Sequence, residues 1–217
     1  CFQVNGARGG GYRPIVASGD NIWNPHYYRN DAAVGASDWV LMDYAPDVRN
    51  YTSDIGRMWP VSGSYAPWRR ELYGFIVDYH KLLLSLIRPG VTAAMIYREA
   101  DTQLRPRVEN TSWSRPSFRQ AALDVLVYNR HLTHPVGMAV HDVGDYHEEP
   151  LRPGIVLALD PQLWIPDEKI YVRVEDTVVV TETGVENLTA DAPLELVDVE
   201  RAMQEPGLLA ARPDLVL

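Results

Sequence analysis

Acidic side chains set into apolar runs constrain this chain more than any other feature of its sequence. Asp43 ends the run Leu41-Met42-Asp43, Asp54 lies in Tyr51-Thr52-Ser53-Asp54-Ile55, Asp160 closes the stretch from Ile155 to Leu159, and Glu175 follows Val172-Arg173-Val174. His134 opens the comparable stretch His134-Pro135-Val136. An ionised carboxylate in an apolar strand is costly unless a cation or hydrogen bonds compensate it. Taken singly, each acid reads equally well as a strand end turned to solvent. Taken together they outnumber the bases near them in sequence, Arg57 and Arg173, so a fold that gathers them calls for cations from outside. Two divalent ions would neutralise four carboxylates, and a carboxylate and imidazole donor set suits manganese, cobalt, zinc or iron(II) better than a soft metal. Cys1 is the only cysteine, so disulfides and cysteine-rich zinc sites are unavailable and any metal must be held by nitrogen and oxygen.

At 217 residues the chain suffices for one domain with its own core. Apolar and β-branched runs at Tyr12 to Ala17, Trp39 to Asp43 and Tyr51 to Val61, separated by Gly, Asn, Pro and Asp, predict strands. Turn residues between Asp43 and Asp54 place these two acids on neighbouring antiparallel strands joined by a hairpin. From Tyr65 to Arg88 the period changes: Leu72, Phe75, Ile76, Tyr79, Leu82, Leu83 and Leu86 make one apolar helical face, stopped by Pro89-Gly90. Thr92 can cap a second helix that reaches about Arg105, where Pro106 intervenes, and a third spans Ser117 to Tyr128. Strands return at Val136 to Val140, Ile155 to Leu159 and Tyr171 to Thr181. The order strands, helices, strands predicts an α+β domain with helices on one side of a curved antiparallel sheet. Residues 1–190 form this domain, and 191–217 read as a surface tail with a short helix at Val199 to Gln204.

A net charge of -9 disfavours nucleic acid and anionic membrane as partners. No apolar run approaches the roughly 20 residues that span a bilayer, and no basic-then-apolar export signal stands at the start; a cytoplasmic protein is expected. Beginning at Cys1 without a methionine, before the glycines at 9 to 11, the chain reads as preceded by a further segment.

The motifs also occur in a recognisable order. Asp43 and Asp54 are eleven apart, His134 is followed seven residues later by His141-Asp142-Val143-Gly144, and Asp160 and Glu175 are fifteen apart. With Pro14-Ile15-Val16-Ala17-Ser18-Gly19-Asp20-Asn21, this resembles the catalytic domain of the pita-bread metallopeptidases, in the aminopeptidase P and prolidase branch, over about residues 5 to 190. The resemblance implies the pita-bread (creatinase/aminopeptidase-like) fold, here without its N-terminal helices. It implies two divalent metal ions, manganese foremost, with Asp43 on one, Asp54 and Glu175 bridging both, and His134 and Asp160 completing the second. It further implies a metal-activated hydroxide that attacks a peptide bond next to proline, either in an Xaa-Pro aminopeptidase or in a prolidase. His26 and His141 match the family's catalytic histidines, and His131 and Arg173 match substrate-contact or ligand-orienting positions. A small peptide is the implied substrate, and a homo-oligomer, or association with a missing N-terminal segment, the implied assembly.

The chain departs from the family at Asp160, where the family has Glu followed by Pro-Gly; here Pro161-Gln162 follows. Aspartate is shorter by one methylene, roughly 1.5 Å, so ligation and proton transfer by this residue can part company. Asp160 and Trp164 therefore leave open a second reaction for the same cage, a non-peptide C–N hydrolysis or lyase reaction on a small molecule. A catalytically silent interaction module on this fold is a third reading.

Overall fold

Local turn chemistry shapes the first half. The computed structural model of the chain describes residues 2–144, 146–207 and 210. Strands β1 (Gly9–Gly10), β2 (Ile15–Ser18), β3 (Trp39–Asp43), β4 (Pro46–Val48), β5 (Tyr51–Thr52) and β6 (Gly56–Pro60) form two sheets, ordered β2-β3-β6 and β1-β4-β5, with every pair antiparallel. Between β4 and β5, Arg49 and Asn50 both take positive φ (56° and 70°), the conformation of a two-residue hairpin turn matched to strand twist. This small ribbon interrupts the longer pair. Asp43 is opposite Gly56 at the end of β3, and Asp54 lies in the connector just before β6 rather than on a strand. Leu41 and Met58, paired across β3 and β6, are fully buried.

Helices α1 (Pro67–Leu86), α2 (Ala93–Asn110) and α3 (Pro116–Val127) follow. Proline opens α1 and α3, where its missing N–H costs nothing. Thr92 caps α2, accepting from the Met95 amide. The expected apolar face of α1 is buried, although Leu82 is only partly covered. α2 runs on through Pro106 instead of stopping near Arg105. Pro106 and Thr102, whose carbonyl it deprives of a donor, are both exposed, so water can serve the orphaned group. Leu104 and Val108 on the opposite face are buried and hold the helix to the core. α1 packs on α2 and on one later strand, and α3 on α2 and on the strand paired with it.

The second half holds β7 (Leu132–Pro135), β8 (Val156–Leu159), β9 (Gln162–Ile165), β10 (Ile170–Arg173), β11 (Asp176–Val180) and β12 (Val185–Asn187), paired in the order β12-β11-β8-β7, with β9 and β10 a separate antiparallel pair whose β10 contacts β6. Two expectations are corrected here. Residues 136–140 are not a strand, because the Asp142 carboxylate accepts from the Met138 and Val143 amides (2.6 and 2.7 Å) and folds the segment into a turn. The expected strand Tyr171 to Thr181 is two strands, parted at Val174 and Glu175. There Glu175 forms an isolated bridge with Gly56, N–H to O in both directions at 3.0 and 3.2 Å, which joins the two halves of the chain. The α+β architecture, with antiparallel sheets and helices packed against them, is as expected. Of the expected tail, residues 208, 209 and 211–217 lie outside the described residues; within 191–207, α4 (Leu196–Ala202) packs on α1 and buries Val199. No helix among the described residues is long and apolar enough to cross a membrane.

Candidate metal centre

The bridge between Gly56 and Glu175 sets the position of the site, since it brings β6 and its preceding connector against the break before β11. Asp43 ends β3, Asp54 precedes β6, His134 lies on β7, Asp160 follows β8 and Glu175 occupies the bridge. All five line one cleft of ≈ 290 Å³ together with His26, His141 and Arg173. The four acids are at most 4% exposed. Ligand atoms of Asp54, His134 and Glu175 lie within 4.8 Å of one another, with His134 Nε2 at 3.4 Å from Asp54 Oδ2 and 3.9 Å from Glu175 Oε1. Asp43 and Asp160 border this trio but turn toward Arg173, which pairs with Asp43 and lies 3.7 Å from Asp160 and 3.5 Å from Glu175. The structure therefore gathers all five expected ligands, three of them in ligating proximity.

Four carboxylates face one buried guanidinium, and the protonation of Asp54, Asp160 and Glu175 reflects the imbalance. Burial, reinforced by the Asp43 charge, pushes the Asp54 carboxyl up to about 8. Glu175 is raised by burial and then by Asp160 and Asp54; Asp160 is raised by burial against the pull of Arg173. Burial works against the Arg173 charge, but Glu175, Asp43 and Asp160 outweigh it and raise its pKa. Burial and the nearby His141 lower His134 to about 4, so its imidazole is neutral and its lone pair free to bind. Asp160 Oδ1 and Glu175 Oε2 are buried without a hydrogen-bond partner. Carboxylate oxygens free of hydrogen bonds beside a neutral imidazole fit divalent cations of intermediate hardness, and such cations would relieve the repulsion.

Further residues hold the acids in place, among them Tyr12 and Thr177, which the sequence did not single out. The Tyr12 hydroxyl reaches both Asp43 Oδ1 (2.5 Å) and Asp54 Oδ1 (2.7 Å). Thr177 clasps the Asp54 backbone, its Oγ1 accepting from the amide at 2.6 Å and donating to the carbonyl at 2.7 Å. The Gln162 amide donates to Asp160 Oδ2. Arg57, expected to offset the ligand acids, instead donates to the Glu175 carbonyl (2.6 Å) and to Asp176 Oδ1 (2.7 Å), with His80 Nε2 3.1 Å from the other Asp176 oxygen. Burial pushes Asp176 up, but the adjacent His80 imidazole and the Arg57 charge outweigh it and hold it at about 2. A sequence signal existed for these residues, in that Tyr12, Arg57 and Asp176 flank the motifs, but their partners lie far along the chain.

The histidines divide into two sets. His141 stands beside His134, ring centroids 4.3 Å apart, and His26 stacks on Tyr28 at 5.6 Å and lies 6.4 Å from His141. Both are exposed at the cleft mouth. Asp142 maintains this placement through its turn, in which Gly137 comes so close that a Cβ would meet Asp142 Oδ2 at 2.2 Å. His131 is different. Its ring is completely buried, packed edge-on against Tyr79, Tyr97 and Tyr128, with Nε2 3.0 Å from the Val125 carbonyl. That leaves no surface for a substrate; its connection to the site is the backbone, where its carbonyl accepts from the Asp160 amide at 2.8 Å.

The chain resembles known proteins in both sequence and structure. The Xaa-Pro aminopeptidase of Escherichia coli (strain K12) is 33% identical over 221 residues, covering 93% of this chain and 49% of the relative. Xaa-Pro aminopeptidase 3 of Mus musculus is 32% identical over 201 residues, covering 88% of this chain and 40% of the relative. The chain thus spans less than half the length of these relatives. A solved structure of E. coli aminopeptidase P with the inhibitor Pro-Leu superposes with a TM-score of 0.78 at 31% identity, covering 93% of this chain and 49% of that one. The model of metallopeptidase family M24 matches residues 1–182, a span that contains every acid and histidine of the cleft. This chain is a member of metallopeptidase family M24.

Proposed function

We propose that the chain is the catalytic part of a metal-dependent exopeptidase that cleaves beside proline, as an Xaa-Pro aminopeptidase or prolidase, using two divalent ions held by Asp43, Asp54, His134, Asp160 and Glu175. Manganese is the foremost candidate, with cobalt, zinc and iron(II) compatible with the same donors. The observation that carries the reading is the convergence of four buried carboxylates and a neutral imidazole from five segments on one cleft, opposed by a single buried guanidinium. The named relatives supply the proline preference.

Divalent ions in this cage would acidify a water near neutral pH and polarise a scissile carbonyl. The remaining work falls to the chain. Tyr12 and Thr177 fix the direction of Asp54, and Tyr12 that of Asp43, so the carboxylates are set before ions arrive. Arg173 orients Asp43, Asp160 and Glu175. Asp160 has one oxygen held by Gln162 and the other without a hydrogen bond, which supports a role as acceptor of the attacking water's proton. His26 and His141, exposed at the mouth, donate hydrogen bonds to the carbonyl oxygen as it gains charge. His131 holds the Asp160 backbone from behind.

Metal analysis and turnover test this together. Manganese-supplemented protein should carry about two ions per chain and hydrolyse Xaa-Pro peptides but not matched Xaa-Ala peptides. Full occupancy with no turnover of Xaa-Pro peptides would sink the peptidase assignment. The small-molecule reaction, which Asp160 and Trp164 left open, gains nothing from the structure: Trp164 packs on Trp23 and Tyr171 (5.1 and 4.1 Å) instead of lining the cleft.

A further inference from the structure

Two cationic side chains line the cleft, Arg173 and Arg130. Arg173 is buried and engaged with Asp43, Asp160 and Glu175. Arg130, in the connector between α3 and β7, is exposed, and among the described residues its guanidinium has neither an ion-pair partner nor a hydrogen bond. It also borders an adjoining hollow of ≈ 390 Å³ lined by Tyr97, Asn129 and His147, so it stands where the cleft opens out. In a chain of net charge -9, with Arg173 already engaged by Asp43, Asp160 and Glu175, Arg130 is the cleft arginine left to attract an incoming carboxylate. A peptide's ammonium end is repelled by the same guanidinium. A peptide bound with its amino end at the acids therefore points its carboxyl end outward to the guanidinium, whose planar fork matches a carboxylate with two parallel hydrogen bonds.

We propose that Arg130 binds the C-terminal carboxylate of the substrate, so that the site prefers short peptides ending soon after the scissile bond. This rests on the aminopeptidase reading for the direction in which the peptide lies. The test uses manganese-loaded protein, wild type and Arg130→Ala, Arg130→Lys and Arg130→Glu, each checked for wild-type metal content. Calorimetric titration with Pro-Leu, Pro-Leu amide and Pro-Glu amide measures binding without turnover, and hydrolysis of Ala-Pro-Leu against its amide measures kcat/KM. In the wild type the free acid should bind about tenfold more tightly than the amide, with the difference shrinking as salt is added. That ratio should collapse toward one in Arg130→Ala, survive in part in Arg130→Lys and invert in Arg130→Glu.

An acid-to-amide ratio near one in the wild type, a ratio unchanged in Arg130→Ala, or no binding of either form overturns the proposal. A gain for Pro-Glu amide alone overturns the assignment to the terminal carboxylate. An Arg130-dependent preference in binding without cleavage of any tripeptide supports this subsite and removes the peptidase reading; cleavage with no acid preference does the reverse.

Discussion

Without divalent metal, the fold should lose stability as the pH rises from 6.5 to 8, and Asp54→Asn should remove much of that loss. Both sign and size come from the Asp54 carboxyl, which burial and then Asp43 raise from 3.8 to about 8. Over this interval the folded chain keeps a proton on Asp54 that the unfolded chain has released. The folded state binds more protons, so stability falls with increasing pH. One proton corresponds to about 1.4 kcal/mol per pH unit, and with Asp54 half released at pH 8 the loss is about 1.6 kcal/mol across the window. Glu175 and Asp160, also raised, act in the same direction. The window starts at 6.5 because burial lowers His131 and His134 from 6.5 to about 4, and their opposing contribution, dominant below 6.5, fades within the first pH unit above it as the unfolded imidazoles lose their remaining protons. Urea unfolding followed by circular dichroism, in chelator and at constant ionic strength, measures the slope. Manganese should flatten it, since cations favour the ionised carboxylates in the fold, and at 100 times its Kd should add about 2.7 kcal/mol. A metal-free protein as stable at pH 8 as at 6.5, or more stable, would refute the uncompensated crowding of acids. A variant as steep as wild type would place the effect elsewhere.

Arg57→Ala leaves Asp176 buried with only His80 and Thr189 beside it and should cost about 3–5 kcal/mol; a calorimetric Tm close to wild type would contradict this. Gly56→Ala places a Cβ 3.1 Å from Glu175 Oε2 and 3.2 Å from Glu175 Cβ. It should weaken manganese binding about tenfold or more, read by titration on protein whose circular dichroism is unchanged. Tyr12→Phe removes the hydroxyl shared by Asp43 and Asp54 and should likewise lower metal affinity about tenfold; unaltered affinity would show that the two carboxylates need no such donor.

The legible elements in the sequence were those whose cause is local. The face of α1 follows from apolar residues at helical spacing, the Thr92 cap from one hydroxyl and the amide three residues on, and the ends of α1 and α3 from prolines and glycine nearby. The five acids and histidines were legible as a set because apolar neighbours make each costly alone, and their motif order pointed to the family.

What the local pattern missed depended on distant partners. Asp142 turned residues 136–140 away from a strand, and the buried Leu104 and Val108 carried α2 past Pro106. Tyr171 to Thr181 reads as one strand because alternation continues through it, whereas the Gly56 bridge to Glu175 divides it. The amino-acid sequence by itself determined which residues must be compensated and what donor chemistry they offer. Only the tertiary structure decided who compensates them: Tyr12, Thr177 and Arg173 for the metal cage, Arg57 and His80 for Asp176, and none of the described residues for Arg130. Hydrogen bonds and ion pairs act over a few ångströms in space, and separations of more than a hundred residues, as between Asp54 and Thr177, leave no trace in sequence spacing.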